Sequence, residues 1–189
     1  NYLTAHLMMH HTAAMQNGER VLIQGAAGGV GTALLELGKL AGLEMYGTAS
    51  KNNHETVSAL GATAIDYRTE DFVQRIRSLT GDGVDAVFDP IGGGRQLWRS
   101  YQALRKGGRV VCAGIHMSDI PSFPYADLWT ERQVMSVANL TRQDGDEFFP
   151  LAHSANVHTR TPPYPLEKAN EALDDLRAGR LKGAAVLLP

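Results

Sequence analysis

Short apolar runs alternate along this chain with stretches in which apolar residues return every three or four positions. The run Val21-Leu22-Ile23-Gln24 has the length and the glycine boundary of a buried strand. Residues 32–41 then put Ala33, Leu34, Leu37, Leu40 and Ala41 at helical spacing. Residues 43–49, 62–66, 84–89 and 109–113 read as four more strands, and 134–140 as a sixth. Residues 55–60, 69–79 and 96–104 read as helices, the second capped by Thr69 with Phe72, Ile76 and Leu79 at helical spacing. A helix over 2–12 precedes the first strand. Residues 166–178 are amphipathic, with Leu166, Ala169, Leu173 and Leu176 on one face, and the tail 183–189 reads as a strand without an evident partner. Strands joined by helices demand crossovers, which are right-handed and cover both faces of a parallel sheet. The expected fold class is α/β, a Rossmann-type doubly wound parallel sheet of about six strands.

Composition narrows the functions this fold can carry. The chain has 189 residues, one domain of ordinary size, and 43% of them are hydrophobic, enough for a core without disulfide or metal. Eighteen basic and 20 acidic residues leave a net charge of −2, so nothing argues for a nucleic-acid or membrane partner. No apolar run approaches the roughly 18 residues of a membrane span. The single cysteine, Cys112, excludes an internal disulfide and a four-thiolate zinc site. A reducing, cytoplasmic location is expected. The chain opens on Asn1 rather than Met, which implies that a preceding segment is missing from it.

The candidate chemistry begins at Gln24-Gly25-Ala26-Ala27-Gly28-Gly29-Val30-Gly31-Thr32, between a predicted strand and a predicted helix. In a dinucleotide site the first small residue permits a tight turn, the second admits the pyrophosphate, and the third lets helix and strand pack closely. Ala26, Gly28 and Gly31 hold these positions. A helix starting near Gly29 would aim free N–H groups and its positive end at phosphate. The loop of nucleotide hydrolases does not fit, because Leu40 follows Gly38-Lys39 and Ala33 stands where its first glycine belongs.

The end of the second strand bears on the choice of dinucleotide. NAD sites carry an acid about 20 positions after the glycines. Here Ser50 stands 19 positions after Gly31, Lys51 follows, and Glu44 and Glu55 lie at the wrong ends of their segments. A hydroxyl and an ammonium suit a 2′-phosphate. NADPH is therefore the expected cofactor, with NADH the alternative.

Several motifs together resemble a known family. Gly25-Ala-Ala-Gly-Gly-Val-Gly31, Tyr46-Gly-Thr-Ala-Ser50, Phe88-Asp-Pro-Ile-Gly-Gly93 and Gly107-Gly-Arg-Val-Val-Cys-Ala-Gly114 are similar to segments of the medium-chain dehydrogenase/reductases. Asn1-Tyr-Leu-Thr-Ala5 and Asn17-Gly-Glu-Arg-Val21 also fit, and the zinc-independent quinone oxidoreductase and enoyl reductase branch is the one most resembled. Cys112 to Tyr125, Ser136 to Thr141 and Ala169 to Arg177 look more like zinc-dependent alcohol dehydrogenases. The resemblance implies that the backbone of Ala27, Gly28, Gly29 and Val30 holds the pyrophosphate. It puts Ser50, Lys51 and Tyr67 at the 2′-phosphate, Ile91 near the nicotinamide, and Gly114 and Ile115 beside the nicotinamide ribose. It also implies a catalytic domain of GroES-like type outside this chain. Residues 1–156 would be the dinucleotide-binding domain, and 157–189 a segment that returns to that catalytic domain.

The implied activity is hydride transfer from NADPH to a quinone or enone, a small-molecule substrate. The alternatives are a zinc-dependent alcohol dehydrogenase, its zinc bound outside this chain, and a dinucleotide-binding module without turnover. The family also implies a homodimer through the sheet edge near Met135 and Leu140. No catalytic residue is assigned. His6 and His10 are four apart on a predicted helix but lack a third ligand, so no metal site is assigned. Cys112 reads as an inert core thiol and His116 as a solvated loop residue. Asp85 and Asp89 share a strand face, and Asp89 stands where it could orient backbone near the cofactor.

Overall fold

The computed structural model describes residues 1–114, 118–154, 157, 159, 161–181 and 183–189. The chain begins with helix α1 (Tyr2–His6), which widens into a π-helical turn over Leu7–Thr12. Strand β1 (Arg20–Ile23) leads to α2 (Gly29–Leu40), β2 (Glu44–Ala49), α3 (His54–Ala59), β3 (Thr63–Asp66), α4 (Phe72–Thr80) and β4 (Val84–Asp89). Then follow α5 (Gly94–Gln102), β5 (Leu104–Cys112), the single turn α6 (Tyr125–Leu128), β6 (Gln133–Ser136) and α7 (Arg142–Ser154).

Strands β1 to β6 form one parallel sheet in the order β3-β2-β1-β4-β5-β6. The order reverses between β1 and β4, whose registers pair Val21 with Ala86 and Ile23 with Phe88. Every residue of β4 is buried. Alternate strand residues Leu22, Tyr46, Val87 and Val110 pack with Ile65 against Phe72 and Ile76 of α4 and Leu97 and Tyr101 of α5. On α2, a Cβ at Gly38 would come within 2.6 Å of Met45 Sδ, so the helix rests on β2 through a residue without a side chain.

Several boundaries move from their predicted places. Helix α4 is capped by Asp71, not Thr69: the Asp71 carboxylate accepts N–H bonds from Val73 (2.9 Å) and Gln74 (3.1 Å). Its Phe72 and Ile76 are buried as expected, but Leu79 is exposed. Strand β5 begins earlier than its apolar run, at Leu104, and β6 ends at Ser136. Helix α7 and the turn α6 were not predicted.

Contacts divide the chain into residues 1–151 and 152–189. The second unit holds β7 (Pro163–Pro165), a 3₁₀ turn at Leu166–Lys168, α8 (Ala169–Arg177) and β8 (Val186–Leu188). The tail strand does have a partner, correcting the expectation: β8 pairs in parallel with β7, Tyr164 opposite Leu187. On α8, Ala172 is buried while Leu173 and Leu176 stand exposed, as does Leu166 before them.

Candidate functional site: a cleft at the carboxyl ends of the central strands

Loops leaving β1, β2, β3 and β4 enclose a cleft of about 590 Å³. It lies where the strand order reverses, the place where open α/β sheets bind ligands. Gln24, Gly25, Ala27 and Gly28 form the β1 side, with Thr48, Ala49, Ser50 and Asn53 from the end of β2. Tyr67 and Phe72 close it after β3, and Ile91, Gly92, Gln96 and Arg99 after β4.

The glycine turn is built for close approach of backbone. Gly25 has φ +58°, so the left-handed residue of the turn is Gly25, one position before Ala26. Ala26 is fully buried, and its N–H donates to the Thr48 carbonyl at 2.9 Å. A Cβ on Gly31 would lie 2.7 Å from Ala26 Cα and closer still to the Gly25 carbonyl oxygen, so only glycine lets α2 start here. Gly28 is the N-cap of α2 and supplies no side chain to its first turn, which Gly29, Val30 and Gly31 form. Helix N-terminal N–H groups left without a side-chain cap seek an anion.

The turn is braced by a buried polar chain that sequence reading missed. The Thr48 hydroxyl donates to Gln24 Oε1 (2.7 Å) and accepts the Gly25 N–H (3.0 Å), while Gln24 Nε2 donates to Ser100 Oγ (3.2 Å). The signal was present in Gln24, a polar residue inside an apolar strand, which must find partners when buried.

Of the residues expected here, Ala27, Gly28, Ser50, Tyr67 and Ile91 line the cleft. Lys51 does not: it is exposed on a 3₁₀ turn over Lys51–Asn53, and Asn53 reaches the wall instead. Gly114 follows β5 and packs against the β4 loop, where a Cβ would meet the Ile91 carbonyl oxygen at 3.0 Å. Ile115 and His116 lie outside the described residues. No acid stands at the end of β2. Glu44, at its start, is engaged by the Tyr46 hydroxyl.

Asp89 shapes the loop that carries Ile91. Its Oδ1 accepts the N–H groups of Ile91 (3.1 Å) and Gly92 (2.9 Å), and its buried Oδ2 has no hydrogen-bond partner among the described residues. Burial pushes its pKa up from the usual carboxylate value, against the pull of those two N–H bonds. Cys112, opposite Asp89 in the sheet, is buried, and burial with the neighbouring carboxylate pushes its thiol up to about 11. Asp85 is at the other end of β4, where it accepts the Arg20 N–H (2.7 Å) and pairs with Arg105, so the two acids do separate jobs.

His6, His10 and His11 cluster, the first two with ring centroids 4.7 Å apart, and His11 pairs with Glu147 at 2.9 Å. Among the described residues, no group of three or more His, Cys, Asp or Glu is arranged to hold a metal. Among them, too, no helix is long and apolar enough to cross a membrane.

A switch-point cleft with a glycine-built helix start defines a dinucleotide-binding domain of Rossmann type. Comparison with known proteins places it within a family. The family profile described as zinc-binding dehydrogenase matches residues 29–154. A probable alcohol dehydrogenase, AdhA, of Mycobacterium tuberculosis is 45% identical over 103 residues, covering 54% of this chain and 29% of its own length. The quinone oxidoreductase of Mus musculus is 29% identical over 99% of this chain and 60% of its own. The native structure of a mycobacterial protein complexed with NADPH superposes with a TM-score of 0.83 at 26% identity, over 100% of this chain and 62% of that one. The chain belongs to the zinc-binding dehydrogenase family, and its fold is the cofactor-binding domain of the medium-chain dehydrogenase/reductases. It spans less than two thirds of the length of each of these relatives.

Proposed function

We propose that this chain is the NADPH-binding part of an oxidoreductase that transfers hydride to a quinone or a carbonyl-conjugated alkene. The observation that carries this reading is the make-up of the cleft. One end is an uncapped helix start held open by glycine. The other is a β2 terminus with hydroxyl and amide groups and no carboxylate to bind ribose hydroxyls or repel a 2′-phosphate.

In this reading the backbone of Ala27, Gly28, Gly29 and Val30 holds the pyrophosphate, with Ala26 in the tight turn, Gly28 admitting the phosphates and Gly31 letting helix and strand pack closely. Ser50 and Tyr67 belong to the 2′-phosphate end, beside which the expected Lys51 stands exposed and off the wall, and Ile91, Gly114 and Ile115 belong to the nicotinamide end. When bound, the nicotinamide supplies the hydride. The chain's own residues bind and orient it, with Asp89 fixing the loop under Ile91. Residues 157–189 would return to a catalytic domain outside this chain, and the edge near Met135 and Leu140 would join two copies.

A fluorescence titration with NADPH and with NADH tests the reading. Tighter binding of NADPH is expected, and binding of neither overturns it. The likeness to a probable alcohol dehydrogenase favours a second reading, in which zinc bound outside this chain polarises an alcohol. Stoichiometric zinc required for turnover by the full-length enzyme would put that reading first.

A further inference from the structure

Among the described residues that line the cleft, Arg99 carries the only formal charge. It sits on α5 and was not expected there from the sequence. Its guanidinium lies 4.6 Å over the Phe72 ring, and its Nη2 is 2.9 Å from Asp71 Oδ1. Phe72 and Asp71 open α4, just beyond β3 and Tyr67, so Arg99 belongs to the β2–β3 end of the cleft and not to the glycine turn. The stack and the ion pair fix the guanidinium plane before a ligand arrives, so little side-chain freedom is left to lose on binding.

The ion pair leaves donors to spare. A guanidinium has five N–H groups, and Asp71 engages one nitrogen. Asp71 is itself held as the cap of α4 by the N–H groups of Val73 and Gln74. Lys51 has none of these advantages: its ammonium is exposed and off the wall, where solvent and salt screen it.

We infer that Arg99, rather than Lys51, is the cation that selects the phosphorylated dinucleotide, its guanidinium taking the 2′-phosphate from the wall of the cleft. This rests on the dinucleotide reading above. Asp71 then sets the strength of the preference, since its carboxylate shares the same guanidinium.

The test is a fluorescence titration of the chain with NADPH and with NADH, in unsubstituted form and as Arg99→Gln, Asp71→Asn and Lys51→Gln. Arg99→Gln is expected to weaken NADPH about tenfold or more and to leave NADH within about twofold. Asp71→Asn keeps a good helix cap, so it tests the site even if Arg99→Gln fails to fold. It is expected to tighten NADPH several-fold and leave NADH unchanged, while Lys51→Gln changes the ratio little. Equal loss of both dinucleotides in Arg99→Gln would assign Arg99 to the adenine or pyrophosphate and overturn the inference. So would a preference abolished by Lys51→Gln alone, or an unchanged NADPH affinity in Asp71→Asn. Equal binding of both dinucleotides to the unsubstituted chain overturns the role of Arg99 and leaves the dinucleotide reading standing. Binding of neither overturns both.

Discussion

A methyl group at Gly31 would press on the backbone of Gly25 and Ala26, whereas one at Gly28 would meet only the Gly25 carbonyl oxygen, at 3.2 Å. The two glycines should therefore fail differently. Gly31→Ala is expected to cost about 1–3 kcal/mol of stability, because rigid backbone must move to admit it. Gly28→Ala should cost less but still weaken NADPH, since its methyl would enter the cleft. Urea midpoints and dinucleotide titrations of both variants check this. Asp89 makes a prediction about pH. Its folded-state pKa lies above the usual 3.8, so the folded protein holds this proton more tightly than the unfolded chain does. Its contribution to stability is thus full below 3.8 and is lost as pH rises through the folded value. Asp89→Asn keeps an oxygen for Ile91 and Gly92 and removes that slope. The gap in urea midpoint between variant and parent should widen in favour of the variant from about pH 3.5 to about pH 7.

Among the elements, caps decided boundaries that apolar spacing did not. Thr69 and Asp71 are both good cap residues two positions apart. The structure uses Asp71, since Asp66 and Glu70 already occupy the turn before it: Glu70 accepts the Asp66 N–H at 2.9 Å, and the Asp66 side chain accepts the Arg68 N–H at 3.0 Å. Asp71→Ala should cost about 1 kcal/mol in thermal or urea unfolding, and Thr69→Ala close to nothing. The Gln74 N–H first, with the Arg99 charge and the Val73 N–H, holds the Asp71 carboxyl below 3.8, so its contribution is present above 3.8 and lost as pH falls through the lower folded value. Helix α7 escaped sequence reading because Pro150 breaks its pattern. Its start was legible in Thr141-Arg-Gln-Asp144, where Asp144 Oδ2 accepts the Thr141 N–H at 2.6 Å and the Thr141 hydroxyl accepts the Asp144 N–H at 3.3 Å. In the unit over 152–189, Leu166, Leu173 and Leu176 are exposed and little of α8 is buried. Its amides should exchange with solvent faster than those of β1 and β4, as hydrogen-exchange mass spectrometry would read.

For the whole molecule, the sheet ends in β3 on one side and β6 on the other. β6 is short and mostly exposed, with backbone groups available on its outer edge. If two copies pair there, light scattering gives twice the mass of 20.5 kDa, and proline at Met135 returns the chain to monomer. The order of strands and helices from β1 to β5, the parallel sheet and the glycine turn were determined by the sequence alone. Burial periodicity and glycine geometry act over a few neighbouring residues, so a linear reading captures them. What only the tertiary structure decided is which distant side chains share a wall. Arg99 and Phe72 lie 27 positions apart, and Gln24 and Ser100 76 apart, joined because α4 and α5 pack on one face of β1 and β4. Lys51, adjacent in sequence to the cleft, points its charge to solvent because the turn after β2 is 3₁₀. Local spacing can locate the end of a strand, but the charge that faces a ligand there is set by the packing of elements remote in the chain.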